Sequence, residues 1–196
     1  GHEGSGTVAE VGKNFASKFK IGDKVSFKCD FGALGSWAQY FTVSGDSAFH
    51  MHPENTFEEA ASHFCNPTTL MLMLREVQNE GHKAVIHSAG ASALGKMMIR
   101  LFKENGIKTI NLVRRDDVKD ELMKIGADYV LNMTDADFEK QLAEIVNKEN
   151  ATKFYDAVAG DLTVTVLKLM PRGSVVTLYG VLSGNVDAKV SIADIF

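Results

Sequence analysis

The sequence is poor in the residues and patterns that mark several large classes of protein. Only three prolines and two cysteines occur among 196 residues, which excludes a collagen-like chain and a disulfide-rich scaffold. The sequence has no stretch of 18 consecutive apolar residues, so no membrane-spanning helix is expected. The formal net charge is only −4, which gives no reason to expect a nucleic acid or an anionic membrane as a partner.

What the sequence does contain is a globular composition, with 45% hydrophobic and 23% charged residues. A chain of this length buries roughly 70% of the surface of its unfolded state, which is enough for a full hydrophobic core. The two cysteines, Cys29 and Cys65, fit a reducing compartment, so we expect a cytoplasmic protein, with the mitochondrion as the alternative. The chain begins at Gly1 without a methionine and ends at Phe196 within a regular pattern. We therefore expect it to be an internal piece of a longer protein.

Residues 1–53 have the composition of β structure punctuated by glycines. Runs rich in β-branched and aromatic residues predict strands at 7–11 and 36–43, and a Gly-Asp turn at Gly22 leads into a strand that ends at Phe27. This pattern is typical of a small barrel or meander.

Helical signals begin at Thr56, which forms a capping box with Glu59. Pro67 is expected to interrupt the helical pattern, so the next helix is predicted to run from Thr69 to Glu80.

From residue 83 onward, strand and helix patterns alternate. Thr134 is the expected N-cap of the third helix. Five strands alternating with four helices predict right-handed βαβ units in one doubly wound parallel sheet, an α/β fold. The predicted strands are 84–87, 109–113, 128–131, 154–158 and 174–179, and the helices between them are 94–102, 118–125, 138–146 and 162–170.

The connection between the first strand and the first helix of this series follows the dinucleotide-binding pattern G-x-G-x-x-G, with serine in the middle position. Gly90 is expected to allow the tight turn, and Gly95 to let the helix pack closely on the sheet. Ser92 is small enough for backbone amides to approach a pyrophosphate at the helix N-terminus. The pattern predicts a dinucleotide site, the alternative being small residues that serve close packing alone. The predicted dinucleotide-binding residues of this loop are Gly90, Ala91, Ser92, Ala93, Leu94 and Gly95.

The strand that follows ends in two arginines, Arg114 and Arg115. An NAD site usually has an acidic residue there to bind the ribose 2′-hydroxyl. Guanidinium groups are instead suited to a 2′-phosphate, because they are permanently charged and bidentate. NADP(H) is therefore the expected cofactor, although Asp116 and Asp117 could bind a ribose or simply start the next helix.

The histidines give weaker signals. His87 ends the first strand of the alternating series and is expected to pack beside the glycine-rich loop. Four further histidines are expected to be solvated, namely His50, His52, His63 and His82. No catalytic residue is identified.

Several motifs together resemble the medium-chain dehydrogenase/reductase superfamily. Val85 to Gly95 looks like the quinone-oxidoreductase and enoyl-reductase branch of that superfamily. The resemblance covers essentially the whole chain. The other motifs that carry it are Gly1 to Gly6, Lys20 to Val25, Ser36 to Tyr40, Ile125 to Asp128 and Arg172 to Gly180.

The resemblance implies a chaperonin-10-like β barrel joined to a Rossmann domain, both incomplete in this chain. The expected divisions are a partial catalytic β domain at 1–55, interdomain helices at 56–82 and a truncated Rossmann domain at 83–196. The first barrel strands, the sixth Rossmann strand and the tyrosine proton donor of enoyl reductases are expected to lie outside the chain. Further cofactor contacts are implied at Asn66, Thr69, Ala159, Gly160, Tyr179 and Gly180.

Zinc alcohol dehydrogenases of this superfamily bind the metal with a cysteine, the histidine of Gly-His-Glu and a later cysteine or aspartate. The matching positions are His2 and Cys65, with Glu3 as a carboxylate that tunes or replaces a ligand, and the first ligand would precede residue 1. Against zinc, the four-cysteine structural lobe of those enzymes is absent, and the segment 66–69 looks more like the zinc-free reductases. In the alternative, Cys65 is a small buried apolar residue, and His2 and Glu3 are polar residues of a cleft.

The leading hypothesis is an NADPH-dependent oxidoreductase that transfers a hydride to a quinone, an enone or a 2-enoyl thioester. The first alternative is a zinc-dependent alcohol dehydrogenase, and the second is a non-catalytic dinucleotide-binding module. The expected partner is a small-molecule substrate, with neither a nucleic acid nor a membrane, and the full-length protein is expected to form a homodimer.

Overall fold

The computed structural model describes residues 1–29 and 35–191, and the chain divides into two compact units between Thr69 and Leu70. The predicted divisions at 1–55 and 83–196 each include a few residues outside the described ranges. Within the described part, no helix has both the length and the apolar character needed to cross a membrane.

The first unit contains a small antiparallel sheet with the strand order β1-β2-β3. Its strands are β1 (Glu3–Thr7), β2 (Lys24–Lys28) and β3 (Ala48–His50). Glu3 pairs with Lys28, and Val25 pairs with His50. One apolar cluster forms the core of this unit, and its buried members are Phe19, Val25, Phe27, Cys29 and Ala48.

Two strand predictions in this unit are wrong. The β-rich run at 7–11 contributes only Thr7 to β1, and the aromatic run at 36–43 contains no strand. Trp37 in that run is 93% exposed, so it is not packed in a core. Strand β3 instead pairs with β2. Propensity misleads here because a strand forms only where a neighbouring strand offers hydrogen bonds and packing.

The capping box at Thr56 is confirmed. It starts helix α1 (Phe57–Ala60): Thr56 Oγ1 accepts the Glu59 N–H at 3.2 Å, and Glu59 Oε2 accepts the Thr56 N–H at 2.9 Å. Helix α2 (Cys65–Glu80) then runs through Pro67, so the expected interruption is wrong. Pro67 lies in the first turn, where backbone N–H groups have no partner inside the helix, so the missing N–H of proline is tolerated.

The second unit is the predicted parallel sheet, with the strand order β6-β5-β4-β7-β8. All four neighbouring pairs are parallel. The strands are β4 (Ala84–His87), β5 (Lys108–Val113), β6 (Tyr129–Asn132), β7 (Lys153–Asp156) and β8 (Val175–Leu178). The helices between them are α3 (Ala93–Glu104), α4 (Lys119–Lys124), α5 (Phe138–Glu149) and α6 (Asp161–Leu169).

Helices cover both faces of this sheet, and the central strand shows it directly. Ile86 of β4 packs in a cluster with Leu142 of α5 and Val166 of α6. The adjacent Val85 packs in a different cluster, with Met98 of α3 and Val77 of α2. Successive side chains of a strand point to opposite faces, so the two clusters are the two cores of a doubly wound α/β fold.

The expected N-cap at Thr134 is wrong, because α5 begins four residues later at Phe138. Thr134 instead closes a turn after β6: its backbone N–H and its hydroxyl both donate to Asn132 Oδ1, at 3.1 and 2.9 Å. Threonine and asparagine favour such side-chain turns as readily as helix caps.

An ion cluster around a buried lysine joins α2 to the beginning of β7. The Lys153 ammonium is fully buried and lies 2.6 Å from Glu76 Oε1 and 3.5 Å from Glu80 Oε2. His82 bonds Glu80 at 2.8 Å and the Thr152 hydroxyl at 2.9 Å. The expectation of a solvated His82 is therefore wrong, whereas the exposed His50, His52 and His63 agree with the prediction.

Candidate dinucleotide site

The strand order of the second unit reverses between β4 and β7. From β4 the chain adds β5 and β6 on one side, and then returns to add β7 and β8 on the other. In open parallel sheets, ligands bind beyond the carboxyl ends of the strands at such a reversal. The residues that follow β4, β5, β7 and β8 therefore define the place to look.

The glycine-rich loop after β4 makes its tight turn around Gly90, as expected. The Ser92 N–H bonds the Ala89 carbonyl at 2.9 Å and closes a turn whose central residues are Gly90 and Ala91. Ala89, the first residue of this turn, has φ of 55°, in the left-handed region. Gly90 also lies against β5: its N–H bonds the Leu112 carbonyl at 3.0 Å, and a Cβ at this position would stand 2.8 Å from Asn111 Cβ. Gly90 is thus required for close approach to β5 as well as for the turn.

Helix α3 begins at this loop with Ser92 as its N-cap, and the Ser92 hydroxyl accepts the Gly95 N–H at 3.1 Å. A Cβ on Gly95 would collide with the Gly90 carbonyl oxygen. Gly95 therefore allows the helix to pack closely on the loop that leads from β4, and its expected role in packing the helix on the sheet stays a prediction. The first-turn N–H groups of Ala93 and Leu94 have no intrahelical acceptors, and the helix dipole favours an anion there.

The two arginines after β5 are exposed but differ in their surroundings. The Arg115 guanidinium lies 3.4 Å from Asp117 Oδ1. Asp116 is also paired, with the Lys119 ammonium at 2.7 Å. Both acidic candidates for a ribose are therefore engaged with cations. Arg114 directly follows the last residue of β5, and we favour it over Arg115 as the ligand of a 2′-phosphate.

Asp156, at the end of β7, organises the far side of the reversal. It is fully buried, and its Oδ1 accepts the Ser88 hydroxyl at 2.7 Å and the Val158 and Ala159 N–H groups at 2.8 and 3.2 Å. Its Oδ2 accepts the Thr163 hydroxyl at 2.6 Å. These bonds tie the ends of β4 and β7 together and fix Ala159, whose φ is 63°. A single acidic residue in a predicted apolar strand was the only sequence signal for this network.

The segment after β8 runs beside the end of β7. The Tyr179 N–H bonds the Asp156 carbonyl at 2.9 Å, and the Leu182 N–H bonds the Ala157 carbonyl at 2.9 Å. A Cβ on Gly180 would stand 2.9 Å from the Ala157 carbonyl oxygen. The structure therefore brings Tyr179 and Gly180 next to the turn that contains Ala159 and Gly160. All four residues are predicted cofactor contacts.

Tyr179 also contacts the end of β4. Its hydroxyl lies 2.6 Å from His87 Nε2, and the two rings are nearly parallel, with an interplanar angle of 9°. Burial lowers the pKa of His87 to about 4, although the Asp156 charge opposes this effect. Burial also raises the pKa of Tyr179. Both groups are therefore neutral near pH 7, and the sequence predicted only that His87 packs beside the loop.

The remaining predicted contacts lie in the first unit. Asn66 and Thr69 belong to the first turns of α2, and the Thr69 hydroxyl bonds the Cys65 carbonyl at 2.7 Å. Glu3 Oε2 accepts the Phe64 and Cys65 N–H groups at 3.1 and 2.8 Å. Glu3 thus acts as the N-terminal cap of α2.

Two of the candidate zinc ligands are neighbours, since Glu3 Oε2 accepts the Cys65 N–H at 2.8 Å. Among residues 1–29 and 35–191, no three histidine, cysteine or acidic side chains are grouped to bind a metal ion. Burial raises the pKa of the Cys65 thiol, and the neighbouring Glu3 carboxylate raises it further. No zinc site is therefore shown within these ranges, and the zinc role of His2, Glu3 and Cys65 stays a prediction.

A parallel sheet with a glycine-rich loop, a capped helix N-terminus and a nearby arginine defines a dinucleotide-binding fold of the Rossmann type. Residues 93–196 match the zinc-binding dehydrogenase family, and residues 1–53 match the alcohol dehydrogenase GroES-like domain. The chain belongs to the zinc-binding dehydrogenase family, within the medium-chain dehydrogenase/reductase superfamily. Its relatives include quinone oxidoreductases and enoyl reductases.

Three relatives illustrate the similarity. A Mesorhizobium loti protein provisionally identified as an NADPH:quinone reductase is 36% identical with a TM-score of 0.90, covering 97% of this chain and 55% of that chain. Escherichia coli quinone oxidoreductase in complex with NADPH is 26% identical with a TM-score of 0.86, at 98% and 58% coverage. A mitochondrial enoyl-[acyl-carrier-protein] reductase of Arabidopsis thaliana is 30% identical over 189 residues, at 93% and 49% coverage. The chain thus spans about half the length of the curated relatives it matches.

Proposed function

We propose that this chain carries the NADPH site of a reductase that acts on a quinone, an enone or a 2-enoyl thioester. The observation that carries the proposal is the arrangement after β4 and β5, where the N-terminus of α3 and the exposed Arg114 follow neighbouring strands of one sheet. The relatives support it, because one is a quinone oxidoreductase in complex with NADPH and others are enoyl reductases.

In this proposal each part of the site has one task. The N–H groups of Ala93 and Leu94 bind the pyrophosphate, and Arg114 binds the 2′-phosphate. The Asp156 network holds the turn at Ala159 and Gly160, together with Tyr179 and Gly180, in a fixed shape beside the rest of the cofactor. NADPH, when bound, supplies a hydride from its nicotinamide ring.

For an enone or enoyl thioester, the β carbon receives the hydride and the α carbon then takes a proton, so one NADPH and one proton reduce one double bond. For a quinone, the hydride and a proton yield the hydroquinone. The residues of the proposed site bind and orient the cofactor.

The proton donor and the homodimer remain predictions about the full-length protein. Several relatives are mitochondrial, and the cytoplasmic location of this protein likewise remains a prediction.

Titration with NADPH, followed by a panel of acceptors, tests the proposal. We expect saturable binding that is tighter for NADPH than for NADH, and we expect oxidation of NADPH by the full-length protein with a quinone or a 2-enoyl thioester. Binding without oxidation across the panel would favour the non-catalytic module. The absence of saturable binding would contradict the proposal.

Metal analysis of the full-length protein separates the remaining alternative. About one zinc ion per chain, lost on Cys65→Ser, would favour the zinc-dependent alcohol dehydrogenase. Less than stoichiometric zinc in a protein that oxidises NADPH would favour the reductase.

A further inference from the structure

The pair formed by His87 and Tyr179 joins residues that are 92 positions apart in the sequence. His87 ends β4, and Tyr179 follows β8, so the pair bridges over the end of β7, which lies between those strands. The bond between them is short, 2.6 Å from Nε2 to the hydroxyl oxygen. The pair stands at the strand-order reversal, beside the loop that begins at Ser88.

We propose that His87 is a positioning residue that holds Tyr179 as a hydrogen-bond donor to an acceptor atom of the bound dinucleotide. This inference rests on the dinucleotide site proposed above. It states which of the two side chains donates the hydrogen bond between them, which the fold alone does not specify.

The direction of this hydrogen bond follows from the surroundings of the second imidazole nitrogen, Nδ1. His87 is fully buried, and its Nδ1 has no hydrogen-bond partner among the described residues. A hydrogen on Nδ1 would be a buried donor without an acceptor, which is rare and destabilising in folded proteins. The hydrogen of the neutral ring therefore belongs on Nε2, with only a lone pair on Nδ1.

The tautomer decides what Tyr179 can do. An Nε2–H group donates to the phenol oxygen, so the hydrogen of the Tyr179 hydroxyl is not used in this bond. The opposite tautomer would consume that hydrogen and leave Tyr179 only as an acceptor. His87 fixes the position of the Tyr179 ring, and the Asp156 carbonyl fixes the Tyr179 backbone. The Tyr179 hydroxyl is therefore a donor that is oriented before the dinucleotide binds. This orientation reduces the conformational entropy that is lost on binding.

Nitrogen-15 NMR of the histidine-labelled protein tests the tautomer without any substitution. Long-range couplings to the ring protons distinguish a protonated from an unprotonated ring nitrogen. We expect the His87 resonances of the Nε2–H tautomer, with Nδ1 unprotonated at pH 7. A hydrogen on Nδ1, alone or on both nitrogens, would overturn the proposal.

Dissociation constants for NADPH test the positioning role. We expect Tyr179→Phe to weaken binding about tenfold, the effect of one lost hydrogen bond, and His87→Leu to weaken it about fivefold because the hydroxyl loses its orientation. His87→Gln retains an N–H near the position of Nε2 and should bind within about twofold of the unchanged protein. The double variant H87L/Y179F should bind no more weakly than Tyr179→Phe alone, because coupled residues are not additive.

Controls separate this role from a purely structural one. Tyr129→Phe removes a hydroxyl that bonds Glu149, at the beginning of β6, and should leave the NADPH dissociation constant unchanged. Circular dichroism and urea unfolding establish that each variant is folded at the temperature of the titration. The NMR measurement decides the matter if a His87 variant does not fold.

The outcomes distinguish this inference from the proposed function. Saturable NADPH binding with equal affinity in the unchanged protein, Tyr179→Phe and His87→Leu would overturn the inference and leave the proposed function intact. Additive effects of the two substitutions would also overturn it. The absence of NADPH binding by the unchanged protein would overturn both.

Discussion

Arg114 and Arg115 are neighbours in the sequence, but within the part of the chain that the structure describes only Arg115 is paired with an acidic residue, Asp117. We expect Arg114→Ala to weaken NADPH binding by about 1.5–3 kcal/mol, the range of a hydrogen bond to a charged group. NADH binding should change little, because NADH lacks the 2′-phosphate. Fluorescence titration with both cofactors measures this.

Arg115→Ala is the matched control for the arginine experiment, and we expect a smaller loss of NADPH affinity from it. Equal losses for NADPH and NADH in the Arg114 variant would contradict the role in 2′-phosphate binding.

His87 predicts a specific dependence of stability on pH. Burial lowers its pKa from 6.5 to about 4, so between these values the folded state binds fewer protons than the unfolded state. The contribution of the neutral ring to stability is therefore complete above about pH 6.5 and is lost as the pH falls towards 4. The difference between the two pKa values corresponds to about 3 kcal/mol.

Urea unfolding at pH 7 and pH 4 measures this effect, with His87→Gln as the reference because glutamine does not titrate. We expect the unchanged protein to lose about 3 kcal/mol more stability across this interval than the glutamine variant. The same loss in both proteins would show that His87 does not titrate as its burial requires.

At the scale of the elements, the contact between the glycine-rich loop and α3 leaves no room for a methyl group at Gly95. We expect Gly95→Ala to displace the loop, to abolish tight NADPH binding and to destabilise the protein by about 1–3 kcal/mol. Gly12→Ala is the control, because a Cβ at Gly12 meets nothing within 4 Å. Urea unfolding and NADPH titration of the two variants test the assignment, and wild-type affinity in Gly95→Ala would refute it.

The attachment of α2 to β7 depends on the buried Lys153 ammonium and its carboxylate partners. Glu76 also accepts the Tyr155 hydroxyl at 2.8 Å. We expect Glu76→Gln to destabilise the fold by about 2 kcal/mol, because it leaves a buried cation with one carboxylate, and that one is more distant. Glu121→Gln, which removes an exposed pair with Lys96, should cost less than about 1 kcal/mol. Comparable losses from both substitutions in urea unfolding would contradict this account.

The elements also show how far the sequence predicts the structure. The parallel sheet could be predicted because each strand is followed by a helix with its own apolar period, which is a local signal. In the antiparallel sheet, strand β2 and the meander order agree with the prediction. The other two strands could not be predicted, because the aromatic run around Trp37 has the composition of a strand, and only distant pairing decides where strands form. Pro67 misled the helix prediction because a proline breaks a helix in its interior and is tolerated in its first turn.

The candidate site divides in the same way. The loop from Gly90 to Gly95 can be predicted from local spacing, together with the place of Gly90 in its tight turn. The Asp156 network and the pair of His87 with Tyr179 connect residues that are far apart in the chain. No pattern within a short window contains that information, and polar residues in otherwise apolar strands were the only hint.

At the scale of the whole molecule, a ligand that binds only the folded state stabilises the unit that contains its site. At an NADPH concentration about 100 times the dissociation constant, we expect the slowest-exchanging amides of β4 and β5 to gain about 2.7 kcal/mol of protection. Native-state hydrogen exchange measures this gain. Arg114→Ala at the same NADPH concentration is the control and should gain much less, whereas full protection in that variant would argue against the proposed arrangement.

The left-handed conformation of Ala89 has a consequence for how this chain can vary over time. An alanine there carries about 1 kcal/mol of strain, but a glycine would lose about 0.5–1 kcal/mol more backbone freedom on folding. The strain is the larger effect at a left-handed position, and a single nucleotide in the second codon position converts alanine into glycine. A glycine at position 89 is therefore reached in one step and relieves the strain in the first residue of the phosphate loop's turn.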